Sequence, residues 1–130
     1  MSRASVPRPT DAELSILRIL WDRGPSTVRQ VHDELARERP AAVYTTALKL
    51  LQIMADKQLV RRDESSRTHV YEAAHSETDM QQHLVADLLD RAFDGSAATL
   101  VMRALSARKT SAKDLAEIRR LLKTKQGGSR

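Results

Sequence analysis

The feature that most constrains this chain is a change of hydrophobic period just after Lys57. Before it, apolar side chains recur every three or four residues, the spacing of helices that bury one face. After it, LVRRD and THVYEA are short β-branched or aromatic runs on either side of the polar turn ESSR, which predicts a hairpin. From about residue 76 the helical period returns. The chain should therefore be mainly α with one small β-hairpin.

Start and stop signals divide the first part into three helices. In TDAE, Glu13 stands three residues after Thr10, a capping box that opens a helix carrying Leu14, Leu17, Leu20 and Trp21. Gly24 can adopt a left-handed cap and Pro25 cannot continue a helix, so DRGPS ends it. Thr27 and Gln30 form a second box, and Val28, Val31 and Leu35 give the next helix its apolar stripe before RERP ends it at Pro40. The third helix lies in AAVYTTALKLLQIMADK, begun without bulk by Pro40 and two alanines. At about 100° per residue, Val43, Ala47, Leu50, Leu51 and Met54 share a buried face. Thr45, Lys49, Gln52 and Ile53 lie opposite, with Thr46 at the margin.

Composition narrows the classes. At 130 residues the chain fits one domain, or one small domain with an assembly element. Hydrophobic residues make up 41% but aromatics only 3%, so the core is aliphatic, which suits helices and a partner chain. Without cysteine there is no disulfide framework, thiolate metal site or thiol nucleophile. No apolar run is long enough to insert in a membrane and MSRASVPRPT lacks a signal-peptide core, which predicts a cytoplasmic protein. The net charge of +5 is unevenly placed. Residues 1–75 are nearly balanced, 76–94 are acidic and 95–130 are strongly basic. Any nucleic-acid site in the front half must then rest on a few placed residues.

The last third reads as three amphipathic helices. Ser76 with Asp79 caps one bearing Met80, Leu84, Leu88 and Ala92, and FDGS breaks it. AATLVMRALSARK supplies a second, and Ser111 with Asp114 opens a third holding Leu115, Ile118 and Leu122 before KQGGSR frays. Such lean helices bury little alone. Residues 76–130 are therefore read as a three-helix dimerisation domain whose contacts are Met80, Leu84, Leu88, Leu100, Val101, Leu115, Ile118 and Leu122.

Three helices followed by a β-hairpin, over residues 1–75, form the winged helix-turn-helix arrangement. Its recognition helix enters the major groove and its hairpin wing lies along the backbone of double-stranded DNA. Thr45 and Thr46 stand near a helix N-terminus that favours phosphate. Lys49, one turn on, reaches guanine or a phosphate, and a threonine methyl can meet a thymine methyl. Arg67 at the wing tip, with Arg61 and Arg62 at its base, would neutralise phosphates. Tyr44 and Tyr71 can each touch phosphate or sit at the edge of the core.

The stretches TDAELSILRILWDRGPSTVRQVHDEL, YTTALKLLQIMADKQLVRR, SSRTHVYEA and LLDRAFDGSAATLVMRAL resemble the penicillinase-repressor, BlaI/MecI type of transcriptional regulator from about Pro9 to Lys125. The resemblance implies a homodimer that binds an inverted-repeat operator and represses. It further implies release by proteolysis within the dimerisation domain, under a membrane sensor protease that responds to β-lactams. Three departures stand out. Ile53 occupies a place where the family often has arginine, and Gln58 and Ser66 replace glycines at the start and tip of the wing. The Asn-Phe pair cleaved in the antibiotic-resistance repressors is absent, its place taken by Arg103-Ala104.

Two other readings compete. His83 and Asp87 lie one helical turn apart, and His32, His69 and His75 could join them in a metal sensor, although such residues on polar faces are more commonly solvated. A winged helix used only for protein contacts would explain Ile53 on the groove face. No metalloprotease motif, phosphate-cradling glycine loop or thiol supports an enzyme, and no cofactor is called for.

Overall fold

Local capping sets the helices in place. The computed structural model describes residues 6–128, with side chains through Gln126. Helix α1 (Asp11–Arg23) opens on the Thr10–Glu13 capping box, and α2 (Val28–Glu38) on the Thr27–Gln30 box. Between them Ser26–Thr27 form a two-residue strand β1, which the hydrophobic pattern does not betray. Helix α3 spans Tyr44–Asp56, strands β2 (Val60–Asp63) and β3 (Val70–Ala73) form the hairpin, and α4 (Glu77–Ala92), α5 (Ala97–Ala107) and α6 (Ala112–Gly128) follow. The sheet is antiparallel in the order β1-β3-β2. Tyr71 on β3 is paired with Ser26 on one side and with Arg62 on the other.

One core joins the first three helices to the sheet. Ile16, Leu17 and Leu20 of α1, Val28 and Val31 of α2, and Ala47, Leu51 and Met54 of α3 close over Leu59, Val60 and Tyr71. Each such aliphatic side chain contributes on the order of 1.5–3 kcal/mol on burial. Trp21 packs at the edge and its indole N–H donates to the His75 carbonyl at 2.9 Å, tying α1 to the chain leaving the wing. Glu13, only 2% exposed, accepts from Lys57 Nζ at 2.8 and 3.0 Å and so fastens the start of α1 to the end of α3.

Several sequence expectations are corrected. Val43 is not on the buried face: it is the N-cap of α3 and 53% exposed. The reason is that Pro40 and Ala41 form a turn, closed by Ala42 N–H donating to the Arg39 carbonyl at 2.8 Å, so the helix begins later. Of the two places open to Tyr71, it takes the core, at 1% exposure. Met80, assigned to dimerisation, is also 1% exposed and belongs to the same core, with Leu84 packed against it. Met80 and Leu84 reach that core because only three residues separate the end of β3 from α4, which begins at Glu77. The chain divides into two compact units between Ala86 and Asp87, so Met80 and Leu84 lie in the first. Helix α6 persists through Gly128, so most of KQGGSR is helical instead of frayed; Ser129 and Arg130 lie outside the described residues.

The second unit is built differently. The turn between α4 and α5 uses Asp94 and Gly95 at φ 51° and 80°, with Gly95 N–H reaching back to the Leu89 carbonyl at 2.8 Å. Ser96 caps α5 through the Thr99 N–H. Among the described residues from Asp87 to Gln126, none is buried.

Candidate nucleic-acid interface

Helix α3 presents a continuous exposed face. Thr45, Thr46, Lys49, Gln52 and Ile53 are all exposed along it, while Ala47, Leu51 and Met54 anchor the opposite side. Spacings of three and four residues put these five on one side of the helix. Thr45, Thr46 and Lys49 make no side-chain hydrogen bond or ion pair among the described residues. Val43 supplies no side-chain cap; the Thr46 N–H already donates to the Val43 carbonyl at 3.1 Å, and among the described residues the Tyr44 and Thr45 N–H groups are left for an external acceptor.

The hairpin places its arginines unequally. Arg61, on β2, lies 3.8 Å from Glu72 across the strand pair and donates to the Ala74 carbonyl at 3.3 Å. Arg62 pairs with Glu64 at 2.5 Å. Hydrogen bonds to the Tyr71 hydroxyl and then to Glu64, with the Glu64 charge, raise the Arg62 pKa above its ordinary value. Arg67 is exposed in the wing loop and has no ion-pair partner among the described residues. The loop itself is held by Asp63, whose Oδ1 accepts from Ser65 N–H at 2.9 Å. The backbone and side chain of Ser65 together hold that carboxyl below its usual range. Ser66 closes the tip by donating to the Thr68 carbonyl at 2.9 Å. Ser66 is not in the left-handed region, whereas Gln58 is, with φ 66°.

At its other end α3 leans on α2. The Arg29 guanidinium lies 5.4 Å from the centre of the Tyr44 ring, and His32 meets the same ring edge-on at 6.1 Å. Sequence reasoning singled out Tyr44 but passed over Arg29; the signal available was a basic residue in a helical first turn that contains no acid. The acids Glu64 and Glu72 were missed as arginine partners because strand register cannot be read from composition. Among the described residues no three His, Asp or Glu side chains converge as metal ligands. No helix of the described chain is long and apolar enough to cross a membrane.

Comparison with known proteins adds an independent line. The penicillinase repressor family model matches residues 9–124. A transcriptional regulator BlaI of Mycobacterium tuberculosis is 38% identical over 92 residues, 70% of this chain, and the match spans 66% of that relative's length, just short of two thirds. The penicillinase repressor of Bacillus licheniformis is 22% identical over 120 residues, 90% of this chain and 91% of that protein. In fold, the chain is similar to the DNA-binding domain of the repressor BlaI, with a TM-score of 0.50 and 23% identity over 61% of this chain and 93% of that one. It is also similar to a MarR family protein from Bacillus stearothermophilus, at TM-score 0.53 and 15% identity over 93% of this chain and 75% of that one. Both likenesses show a winged-helix fold. Because the family match begins before α1 and ends within α6, it takes in both units, and the chain belongs to the penicillinase repressor family.

Proposed function

We propose that this protein is a homodimeric transcriptional repressor that binds an inverted-repeat operator through α3 and the β2–β3 wing. The observation that carries the reading is the exposed stripe Thr45, Thr46 and Lys49, whose side chains have no partner among the described residues, together with Arg67, which likewise has none. Lys49 and the threonines meet base edges or nearby phosphates. Tyr44, Arg61, Arg62 and Arg67 hold the backbone, which fixes orientation without reading sequence.

Dimerisation rests on the second unit. Leu88, Val101 and Leu122 are 44%, 44% and 59% exposed, and Leu100, Leu115 and Ile118 are only half-buried. Helical segments with no buried residue that display large apolar side chains fit a second copy of the chain. Met102, Leu105 and Leu121 extend the same exposed set. The proposal includes release by a protease acting under a membrane sensor. Arg103 and Ala104 lie exposed within α5, which must open before a protease can bind it in extended form.

The test is fluorescence anisotropy with duplex DNA from the protein's own promoter region beside a scrambled duplex, over a salt series. A preference of about 10³ or more at two chains per site is expected for a specific repressor. No binding at low salt would favour a protein-contact module, the reading suggested by Ile53, which is 40% exposed on the groove face.

A further inference from the structure

We infer that Arg29 of α2 is a further contact to the DNA backbone, held ready over the ring of Tyr44; this rests on the repressor reading above. Three observations converge on it. First, Arg29 is an exposed cation with no carboxylate partner among the described residues, whereas Arg23, Arg37, Arg61 and Arg62 each lie within 4.0 Å of an acid. Second, it stands in the first turn of α2, where a positive charge opposes the helix dipole and where no acidic residue offsets it. A local rule broken without compensation among the described residues points to compensation from outside them. Third, the guanidinium is not loose: its centre lies 5.4 Å from the centroid of Tyr44, the first residue of α3.

The ring is itself braced. His32 packs edge-on to Tyr44 at 69° between planes, and its Nε2 lies 3.1 Å from the Ala42 carbonyl. A carbonyl only accepts, so Nε2 carries the proton and donates. The opposite nitrogen, Nδ1, is buried without a hydrogen-bond partner, 3.6 Å from Asp33 Oδ1. His32 therefore positions the loop before α3 and the ring that opens it, and the ring positions Arg29.

The chemistry selects the ligand. A guanidinium lying on an aromatic face keeps its N–H edge free for a bidentate acceptor, the geometry that a phosphodiester offers. Because Arg29 stands on α2 rather than on the exposed face of α3, its counterpart is a phosphate flanking the groove. Its contribution should be the same for every sequence.

The experiment compares the full-length protein with Arg29→Ala, Tyr44→Leu and, as a wing control, Arg67→Ala. Arg29→Ala should melt like the parent, bind operator and scrambled duplex each about tenfold more weakly, and lower the salt slope by about 1. Tyr44→Leu should reproduce part of that loss. A set of operator duplexes, each with one neutral methylphosphonate linkage, locates the contact. One linkage should weaken the parent and leave Arg29→Ala no weaker than before. Unchanged affinity and slope in Arg29→Ala would overturn the inference while leaving the repressor reading intact. So would a loss confined to the operator, which would mean base reading. A parent protein that ignores every duplex at low salt would defeat the repressor reading itself.

Discussion

Glu13 performs two tasks with one carboxylate. It caps α1 by accepting from the Thr10 N–H at 2.9 Å, and it receives the Lys57 ammonium. Burial pushes its pKa up, but the bonds from Lys57 and Thr10 and the lysine charge prevail and hold it below the ordinary carboxylate value. The folded chain therefore releases this proton more readily than the unfolded one. Glu13 stabilises the fold at pH values above the unfolded pKa, and that contribution is lost as pH falls through the lower folded value. Glu13→Gln should cost about 1–3 kcal/mol at pH 7 and flatten the fall of melting temperature between about pH 5 and 3. Thermal melts over that range check it. The cap was legible in the spacing TDAE, but a partner 44 positions away was not. Lys49 and Arg67 belong to the same scale. Lys49→Ala should alter preference among duplexes, whereas Arg67→Ala should weaken all of them and lower the salt slope by about 1. Retained discrimination in Lys49→Ala would remove that residue from base reading.

At the scale of elements, two turns decide where α3 begins and ends. Its buried face was read correctly at Ala47, Leu51 and Met54, because a 3.6-residue period over thirteen helical residues leaves little freedom. Its start was misread, because the turn at Pro40 depends on a hydrogen bond from Ala42 N–H to the Arg39 carbonyl that no periodicity reveals. Strand β1 escaped for a related reason: two residues carry no period, and Ser26 is strand only because Tyr71 lies beside it. The hairpin was legible from its runs and its turn, and its register was not. At the end of α3, Gln58 takes a left-handed conformation that glycine adopts without a Cβ penalty. Gln58→Gly should raise stability by about 1 kcal/mol, visible as a melting temperature several degrees higher. An unchanged or lower melting temperature would show that the glutamine side chain returns more than its backbone loses.

At the scale of the whole molecule, Met80 and Leu84 close the core of the first unit from beyond the wing. Their helical spacing with Leu88 is as good as any dimer stripe, so the sequence offered no reason to separate them. A chain ending at Ala86 should fold, stay monomeric by sedimentation and bind the operator weakly, since one half-site loses the effective concentration of its twin. A chain ending at His75 lacks Met80 and should be less stable by a further 2–5 kcal/mol or so. The formal charge of +5 is a poor guide to what a duplex meets. Glu64 and Glu72 already occupy Arg62 and Arg61 in the free wing, so the protein carries its own competitors for the sites a phosphate would take. Replacing Glu64 by Gln should therefore tighten binding to operator and scrambled duplex alike and steepen the salt dependence, with discrimination between them unchanged. The wing holds part of its attraction for DNA in check until a duplex displaces its own carboxylates.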